Sequence, residues 1–173
     1  MNNRGQIWVE TVIYTLIGLA LIGLVLAILT PKVKEFRDRS VIEQTIETLN
    51  LLDSKITEVL DAPGNKRKIN FRLEKGNLEI DSLGNKINYF IEDSDVRYSE
   101  PGIQLNIGRI NVLTEELTET YKITLSMNYV YNITYDGKDA NGEFTPASVP
   151  YEIFVENRGV VNGKQWIDIT EGT

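Results

Sequence analysis

The sequence predicts an α+β protein in which one long N-terminal helix is followed by an antiparallel β-sheet or β-sandwich domain. Two observations carry this prediction. Within residues 6–61, an unbroken apolar run is followed by a segment whose apolar residues recur at helical spacing. After Asn65 the hydrophobic period changes to two, and turn-forming clusters separate short apolar segments.

The first part of the predicted helix is apolar on every side. Residues 11–30, TVIYTLIGLALIGLVLAILT, contain no charged side chain. A helix of this length rises about 30 Å, which is the thickness of the hydrocarbon core of a bilayer. We therefore predict that about residues 11–30 form a transmembrane helix or the core helix of a filament. Pro31 predicts a kink or the first turn of a new helical segment.

Residues 32–61 predict an amphipathic helix. Their apolar side chains recur at spacings of three and four, which places them on one face: Ile42, Ile46, Leu49, Leu52, Ile56, Val59 and Leu60. Pro63, Gly64 and Asn65 end the helix. The predicted organisation is a helix over residues 6–61 and a β-rich globular domain over residues 66–173.

Alternating apolar residues predict the strands of this domain. The first three predicted strands are centred on Phe71, Ile80 and Tyr89. Four more are predicted over residues 103–113, 119–135, 151–157 and 165–169. Because no second long helix is predicted, an antiparallel sheet or sandwich is favoured. Near the C terminus we expect Val160, Val161, Trp166 and Ile167 to close the core.

Composition excludes several classes of function. The net charge of −7 argues against a nucleic-acid partner, which requires clustered Lys and Arg. The chain contains no Cys and no His, which excludes thiolate catalysis, disulfides, imidazole general-base chemistry and the usual zinc sites. Residues 136–143 are rich in oxygen ligands but lack EF-hand spacing, so a hairpin turn is favoured there. We expect no enzymatic activity, no metal site and no cofactor.

One sequence motif predicts a covalent modification. Asn132-Ile133-Thr134 is an N-x-[ST] sequon with an allowed central residue. Asn132 is therefore a candidate glycosylation site. It lies within a predicted strand, which is an unusual place for an accessible sequon.

Polar residues are placed distinctively before the apolar run. A short basic leader, residues 1–5, ends in Gly5, and Gln6 follows it. Glu10 lies four residues after Gln6, at the start of the apolar run. A carboxylate beside a membrane helix is costly unless it keeps water or gains a cationic partner.

This arrangement over residues 4–30 resembles the type IV pilin superfamily, and Gln6-Ile7-Trp8-Val9-Glu10-Thr11 resembles its archaeal branch. The resemblance implies that a prepilin peptidase cuts between Gly5 and Gln6. It implies that Glu10 is the assembly residue, which pairs with the terminal amine of a neighbouring subunit or guides its docking.

The same resemblance implies partners and a location. The apolar helix would lie in membrane lipid before assembly and then self-associate as the core of an extracellular surface filament, used for adhesion. A cytoplasmic assembly ATPase and a membrane platform protein would drive this step.

Two other functions stay open. The chain could be a minor pilin-like component of a secretion or uptake machine, or a monomeric single-pass membrane-anchored binding module. The charges that flank the apolar run also bear on topology. Four basic residues follow it, Lys32, Lys34, Arg37 and Arg39, against Arg4 before it. The positive-inside rule therefore favours a cytoplasmic C-terminal domain, opposite to the topology of a pilin.

Overall fold

One long helix precedes ten strands in the part of the chain that the structure describes. The computed structural model describes residues 3–172, with side chains from Trp8 onward. Helix α1 spans Asn3–Val59 and continues through Pro31. The fold class predicted from the sequence is confirmed: it is α+β, with a long apolar N-terminal helix followed by antiparallel-rich β-sheets.

The chain divides into two compact units at a point within α1. The first is Met1–Arg37, and the second is Asp38–Thr173. The second unit therefore contains the C-terminal part of α1 together with all the strands. Its strands are β1 Lys66–Phe71, β2 Asn77–Asp81, β3 Lys86–Ser94, β4 Leu105–Ile107, β5 Ile110–Glu116, β6 Tyr121–Asn128, β7 Asn132–Tyr135, β8 Gly142–Phe144, β9 Tyr151–Val161 and β10 Lys164–Glu171.

The strands form two sheets. One has four strands in the order β1-β9-β10-β7, and the other has six in the order β4-β5-β6-β3-β2-β8. Neighbouring strands are antiparallel except β10 and β7, which are parallel. Strands β6 and β7 are close in sequence but belong to different sheets, so the short segment between them crosses from one sheet to the other.

A single hydrophobic core joins α1 to both sheets. The predicted apolar stripe is confirmed, because Ile42, Leu49 and Ile56 are fully buried. They belong to one cluster with the inward-facing residues of the strands. In β3, for example, Ile87, Tyr89 and Ile91 are buried, whereas the residues between them are half-buried.

Two of the predicted strands are wrong in extent. Residues 103–113 form two strands, because Gly108 adopts a positive φ of 61° and turns the chain between β4 and β5. Residues 119–135 likewise contain both β6 and β7. Strand β8 was not predicted, because its three residues lie beside the polar turn that the sequence indicates there.

The expectation that Val160 and Val161 close the core is wrong. Their exposed fractions are 64% and 39%, whereas Ile167 is fully buried as expected. Both valines lie beside the turn at Asn162 and Gly163, where β9 ends and β10 begins. At this tip the strands extend past the residues that could cover them.

Candidate functional site: the exposed helix and the anchors of its C-terminal part

The first unit presents an exposed surface that is apolar over residues 11–30. From residue 8 to residue 37 every side chain is exposed except Gly18 and Glu35, which are half-buried. Trp8 is 70% exposed at one end of this stretch and Phe36 is 76% exposed at the other. The helix is long and apolar enough to cross a membrane, and it is compatible with a membrane anchor. An apolar surface of this extent marks a contact with lipid or with other protein.

Two glycines lie in the middle of this surface. A Cβ atom added to Gly18 or Gly23 would meet no atom within 4 Å. Both positions are therefore open, and a second helix could approach the backbone closely there.

The three residues predicted to act in processing and assembly lie on the same helix. Gly5 and Gln6 belong to α1 by their backbone, but their side chains lie outside the described residues. Glu10 is exposed and has no ion-pair partner in the described part of the chain. Along a helix, Glu10 lies only about 6 Å beyond Gln6. Cleavage after Gly5 and assembly through Glu10 remain predictions.

A basic segment follows the apolar run. The Lys32 ammonium donates a hydrogen bond of 2.8 Å to the Glu35 carboxylate; the Lys32 side chain is largely exposed and that of Glu35 is about half exposed. Lys34 and Arg37 are exposed as well. Cations here would meet lipid phosphates if residues 11–30 cross a bilayer.

The second unit begins with a buried ion pair. Both carboxylate oxygens of Asp38 accept hydrogen bonds of 2.8 Å from the Lys75 ammonium. The Asp95 backbone N–H donates a third, also of 2.8 Å. Asp38 is only 4% exposed. The first residue of the unit is thus fixed to the β1–β2 connection and to the segment that follows β3.

Beside this pair the Tyr89 hydroxyl is buried. It donates a hydrogen bond of 2.6 Å to the Lys75 carbonyl. Burial, reinforced by the nearby Asp38 carboxylate, raises the pKa of Tyr89 to about 12, although a hydrogen bond with Thr45 opposes this shift.

A second carboxylate of α1 lies closer to its C-terminal end. Asp53 accepts a hydrogen bond of 3.1 Å from the Tyr129 hydroxyl, and the Arg109 guanidinium lies 3.5 Å from it. Arg109 also lies over the Tyr129 ring, 5.2 Å from its centroid. Burial above all, and then the Asp53 charge, raises the pKa of Tyr129. This cluster ties α1 to the ends of β5 and β6.

The C terminus of α1 is capped by a buried side chain. The Asn157 amide donates a hydrogen bond of 2.8 Å to the Val59 carbonyl, and its oxygen accepts one of 2.8 Å from the Gly159 N–H. Asn157 is 1% exposed. It therefore satisfies a carbonyl that a helix end otherwise leaves unpaired.

The candidate glycosylation site is part of a buried network. Asn132 begins β7 and is half-buried, and Thr134 is 1% exposed. The Thr134 hydroxyl donates a hydrogen bond of 2.8 Å to the Asp168 carboxylate, which also accepts one of 2.8 Å from the Gly137 N–H and one of 3.1 Å from Arg158. The folded domain thus hides half of the sequon. Modification of Asn132 remains a prediction.

These anchors were not predicted from the sequence. In Ile167-Asp168-Ile169 the alternation indicates an outward aspartate, but the 136–138 turn covers it and all three residues are buried. Asn157 carried no sequence signal, because its bonding partner in the helix is 98 positions away.

The buried polar groups of the second unit hold the fold together. The described residues include no group of three or more acidic, Cys or His side chains that could hold a metal ion. The exposed helix is therefore the feature of the chain that most needs a functional explanation. No protein family, no curated protein and no solved structure matches this chain.

Proposed function

We propose that the chain is the structural subunit of an archaeal type IV pilus-like surface filament, used for adhesion. One observation carries the proposal. An uninterrupted apolar helical surface over residues 11–30 is exposed, although the chain has a separate unit that closes its own core. Such a surface is covered by lipid, by other helices, or first by lipid and then by other helices.

The position of Glu10 supports a helix that lies first in lipid and then against other helices. In a bilayer, a carboxylate at the edge of the apolar run is costly. Cleavage between Gly5 and Gln6 would release a terminal ammonium on each copy. A neighbour's ammonium offsets the cost of Glu10 only when the two helices are in register, so the charge pair selects one packing among many. Gly18 and Gly23 would let the helices approach closely.

The remaining partners follow from the same proposal. A prepilin peptidase would process the chain, an assembly ATPase and a membrane platform protein would extract it from lipid, and the β domain would face the outside. A minor pilin-like component would carry the same helix but occur sparsely in sheared filaments. A monomeric anchored module would use the helix only in lipid.

Substitution of Glu10 tests assembly. We expect Glu10→Gln to lower the filament yield by about tenfold or more, because loss of a charge pair in an apolar setting costs at least about 1.4 kcal/mol. Glu35→Gln is the matched control, since Glu35 belongs to the same helix but pairs with Lys32 at the surface. Electron microscopy of sheared filaments gives the yield. Equal yields from both variants would favour the monomeric anchor.

Sequencing of the N terminus tests processing independently. Chains from the filament fraction should begin at Gln6, in the wild type and in the residual filaments of Glu10→Gln alike. A chain that assembles with Met1 or Asn2 at its start would refute the processing step.

A further inference from the structure

The six-stranded sheet has an outer face, which points away from the core. In β3 the buried Ile87, Tyr89 and Ile91 alternate with side chains that are partly or fully exposed on this face. Strands β6, β3 and β2 are neighbours in the sheet, with β5 and β8 on either side of them. Because their backbone groups are engaged in the sheet, a ligand on this face would meet side chains alone.

The outer face contains a depression, which we call the Phe90 depression. Its volume is about 350 Å³, which is within the range of small-ligand sites. Three short polar side chains, Asn88, Thr124 and Ser126, line it together with Phe90. In the strand register Asn88 lies opposite Ser126, and Phe90 lies opposite Thr124. The four side chains therefore form one patch, in which an aromatic ring lies beside amide and hydroxyl groups.

Long charged side chains surround this patch. Glu79, Asp81, Lys86 and Lys122 also line the depression, two of each sign. Three more carboxylates lie at its margin: Glu92, Glu115 and Glu143. They disfavour an anionic ligand, and the described part of the chain includes no group of three acidic, Cys or His side chains that could hold a metal ion. A neutral ligand is therefore favoured.

The polar wall of the depression is held in place by the protein itself. The Asn88 amide donates a hydrogen bond of 3.2 Å to one oxygen of Glu79, and the Asn141 amide donates one of 3.2 Å to the other. The Lys122 ammonium lies 5.7 Å from the centre of the Phe90 ring. Side chains that are already held lose less conformational entropy when a ligand binds.

The outer face of the four-stranded sheet is different. There Lys68 pairs with Glu152, and the Lys66 ammonium lies 3.7 Å from Glu156. Phe154 is half-buried among them, with the Lys66 ammonium 4.7 Å from its ring centre. Ion pairs thus occupy this second face, whereas amide and hydroxyl groups occupy the centre of the first.

We propose that the Phe90 depression binds a neutral carbohydrate. Each sugar hydroxyl both donates and accepts hydrogen bonds, and so do the Thr124 and Ser126 hydroxyls and the Asn88 amide. The C–H groups of a sugar ring carry a slight positive charge, which is attracted to the negative face of the Phe90 ring. A peptide strand would instead bind through its backbone at the edge of a sheet, and this depression lies in the interior of one.

The site has room for more than one sugar unit. Phe90 also lines a second depression, of about 230 Å³, together with Asn77 and Glu92. An oligosaccharide can therefore contact the ring and extend into both depressions. The use of this site rests on the proposed function, in which copies repeat along a filament. A weak site that is repeated binds a surface tightly, because each further contact becomes intramolecular.

Binding of neutral oligosaccharides to the full chain tests the proposal. The probes are one to four units of glucose, galactose, mannose or N-acetylglucosamine, and the chain is solubilised in a detergent without a sugar headgroup. By calorimetry we expect at least one probe to bind with a Kd of about 1 mM, because a shallow site buries little of its ligand. Amide chemical shifts should change in β2, β3 and β6. Changes confined to the four-stranded sheet would overturn the proposal.

Two aromatic substitutions provide a matched comparison. Phe90→Ala should weaken binding by about threefold to tenfold, which is the effect of losing one aromatic contact. Phe154→Ala removes a half-buried ring from the outer face of the other sheet and should leave the Kd unchanged. Asn88→Ala, which keeps the ring, should weaken binding by a similar factor to Phe90→Ala. Equal losses in the Phe90 and Phe154 variants would contradict the proposal.

The remaining outcomes separate this site from the filament. Failure of every neutral probe to bind, or binding only of sulfated sugars or of an uncharged peptide, would refute the carbohydrate site. The proposed function would still stand, because electron microscopy detects filaments independently. Conversely, sugar binding by a chain that forms no filaments would leave the site standing and refute the proposed function.

Discussion

Asp38 and Lys75 form a bidentate ion pair at the first residue of the compact second unit, with both Nζ–Oδ distances at 2.8 Å. The Asp38 side chain is 6% exposed and that of Lys75 is 35% exposed. A buried carboxylate is tolerated here because three donors, two bonds from Lys75 and one from Asp95, satisfy it. The pair holds α1 where it joins the strands.

Removal of Lys75 should therefore destabilise the second unit. We expect Lys75→Gln to lower the free energy of unfolding by about 2–3 kcal/mol, because it removes the positive charge that compensates a buried carboxylate, while partial exposure of the site limits the loss. The double variant with Asp38→Asn should lose less than the sum of the single variants. Urea unfolding of the detergent-solubilised chain measures both.

The Lys32–Glu35 pair is the matched control for this prediction. Its nitrogen–oxygen distance is also 2.8 Å, but its side chains are 74% and 46% exposed. Lys32→Gln should change the free energy of unfolding by less than about 0.5 kcal/mol. Equal effects at Lys32 and Lys75 would contradict the view that burial, and not distance, decides the strength of the anchor.

Buried tyrosines should make the second unit sensitive to alkali. Burial raises the pKa of Tyr89 to about 12, and it raises the pKa of Tyr129 as well. In the unfolded chain both titrate near pH 10, so above that value the unfolded state loses protons that the folded state retains. Their contribution to stability is complete below pH 10 and falls as the pH rises, through about pH 12 for Tyr89.

Urea unfolding at pH 8 and at pH 11 measures this loss. Per buried tyrosine, the free energy of unfolding should fall by about 1.4 kcal/mol for each pH unit above 10. Tyr89→Phe should begin with lower stability, because it loses the bond to the Lys75 carbonyl, but it should lose less between the two pH values. An equal loss in Tyr89→Phe and wild type would exclude Tyr89 as a titrating group.

The Asn157 cap gives a third prediction. Asn157→Ala should cost about 2–3 kcal/mol of unfolding free energy, since it leaves the Val59 carbonyl and the Gly159 N–H without partners. Asn157→Asp should cost at least as much at neutral pH. A carboxylate cannot donate to Val59, and it places negative charge at the negative end of the helix dipole. Asn70→Ala, at an exposed position in β1, is the control for thermal unfolding. Similar melting temperatures in all three variants would show that Asn157 does not cap the helix.

Local patterns were enough to predict the fold class, but not the anchors. The stripe from Ile42 to Val59 and the alternation in β3 are periodic, so neighbouring residues reveal them. The contacts of Asn157 with Val59 and of Asp38 with Lys75 join positions far apart in sequence. No local period encodes such contacts. The exposure of Val160 was not predicted for a similar reason. Whether the end of the β9–β10 hairpin is covered depends on strands that are distant in sequence.

The prediction of an apolar N-terminal helix, by contrast, rests on local features alone. Glu10 and the uncharged run after it are local features, and they are readable because no tertiary contact is needed to define them. The wider site of the proposed filament would lie between copies, and it has no signature in one chain.

The basic segment after the apolar run leads to a prediction about topology. Lys32, Lys34, Arg37 and Arg39 favour a cytoplasmic domain under the positive-inside rule, whereas the proposed filament requires the domain outside. Outward insertion should therefore be inefficient and limited by these charges. Changing all four residues to Gln should raise the fraction of chains whose domain is degraded by protease added to intact cells.

The same changes introduced at Lys66, Arg67 and Lys68 should not, because these residues lie more than about 30 positions beyond the apolar run. Complete protection of the wild-type domain in intact cells would place it inside, and the filament proposal would then fail together with this prediction.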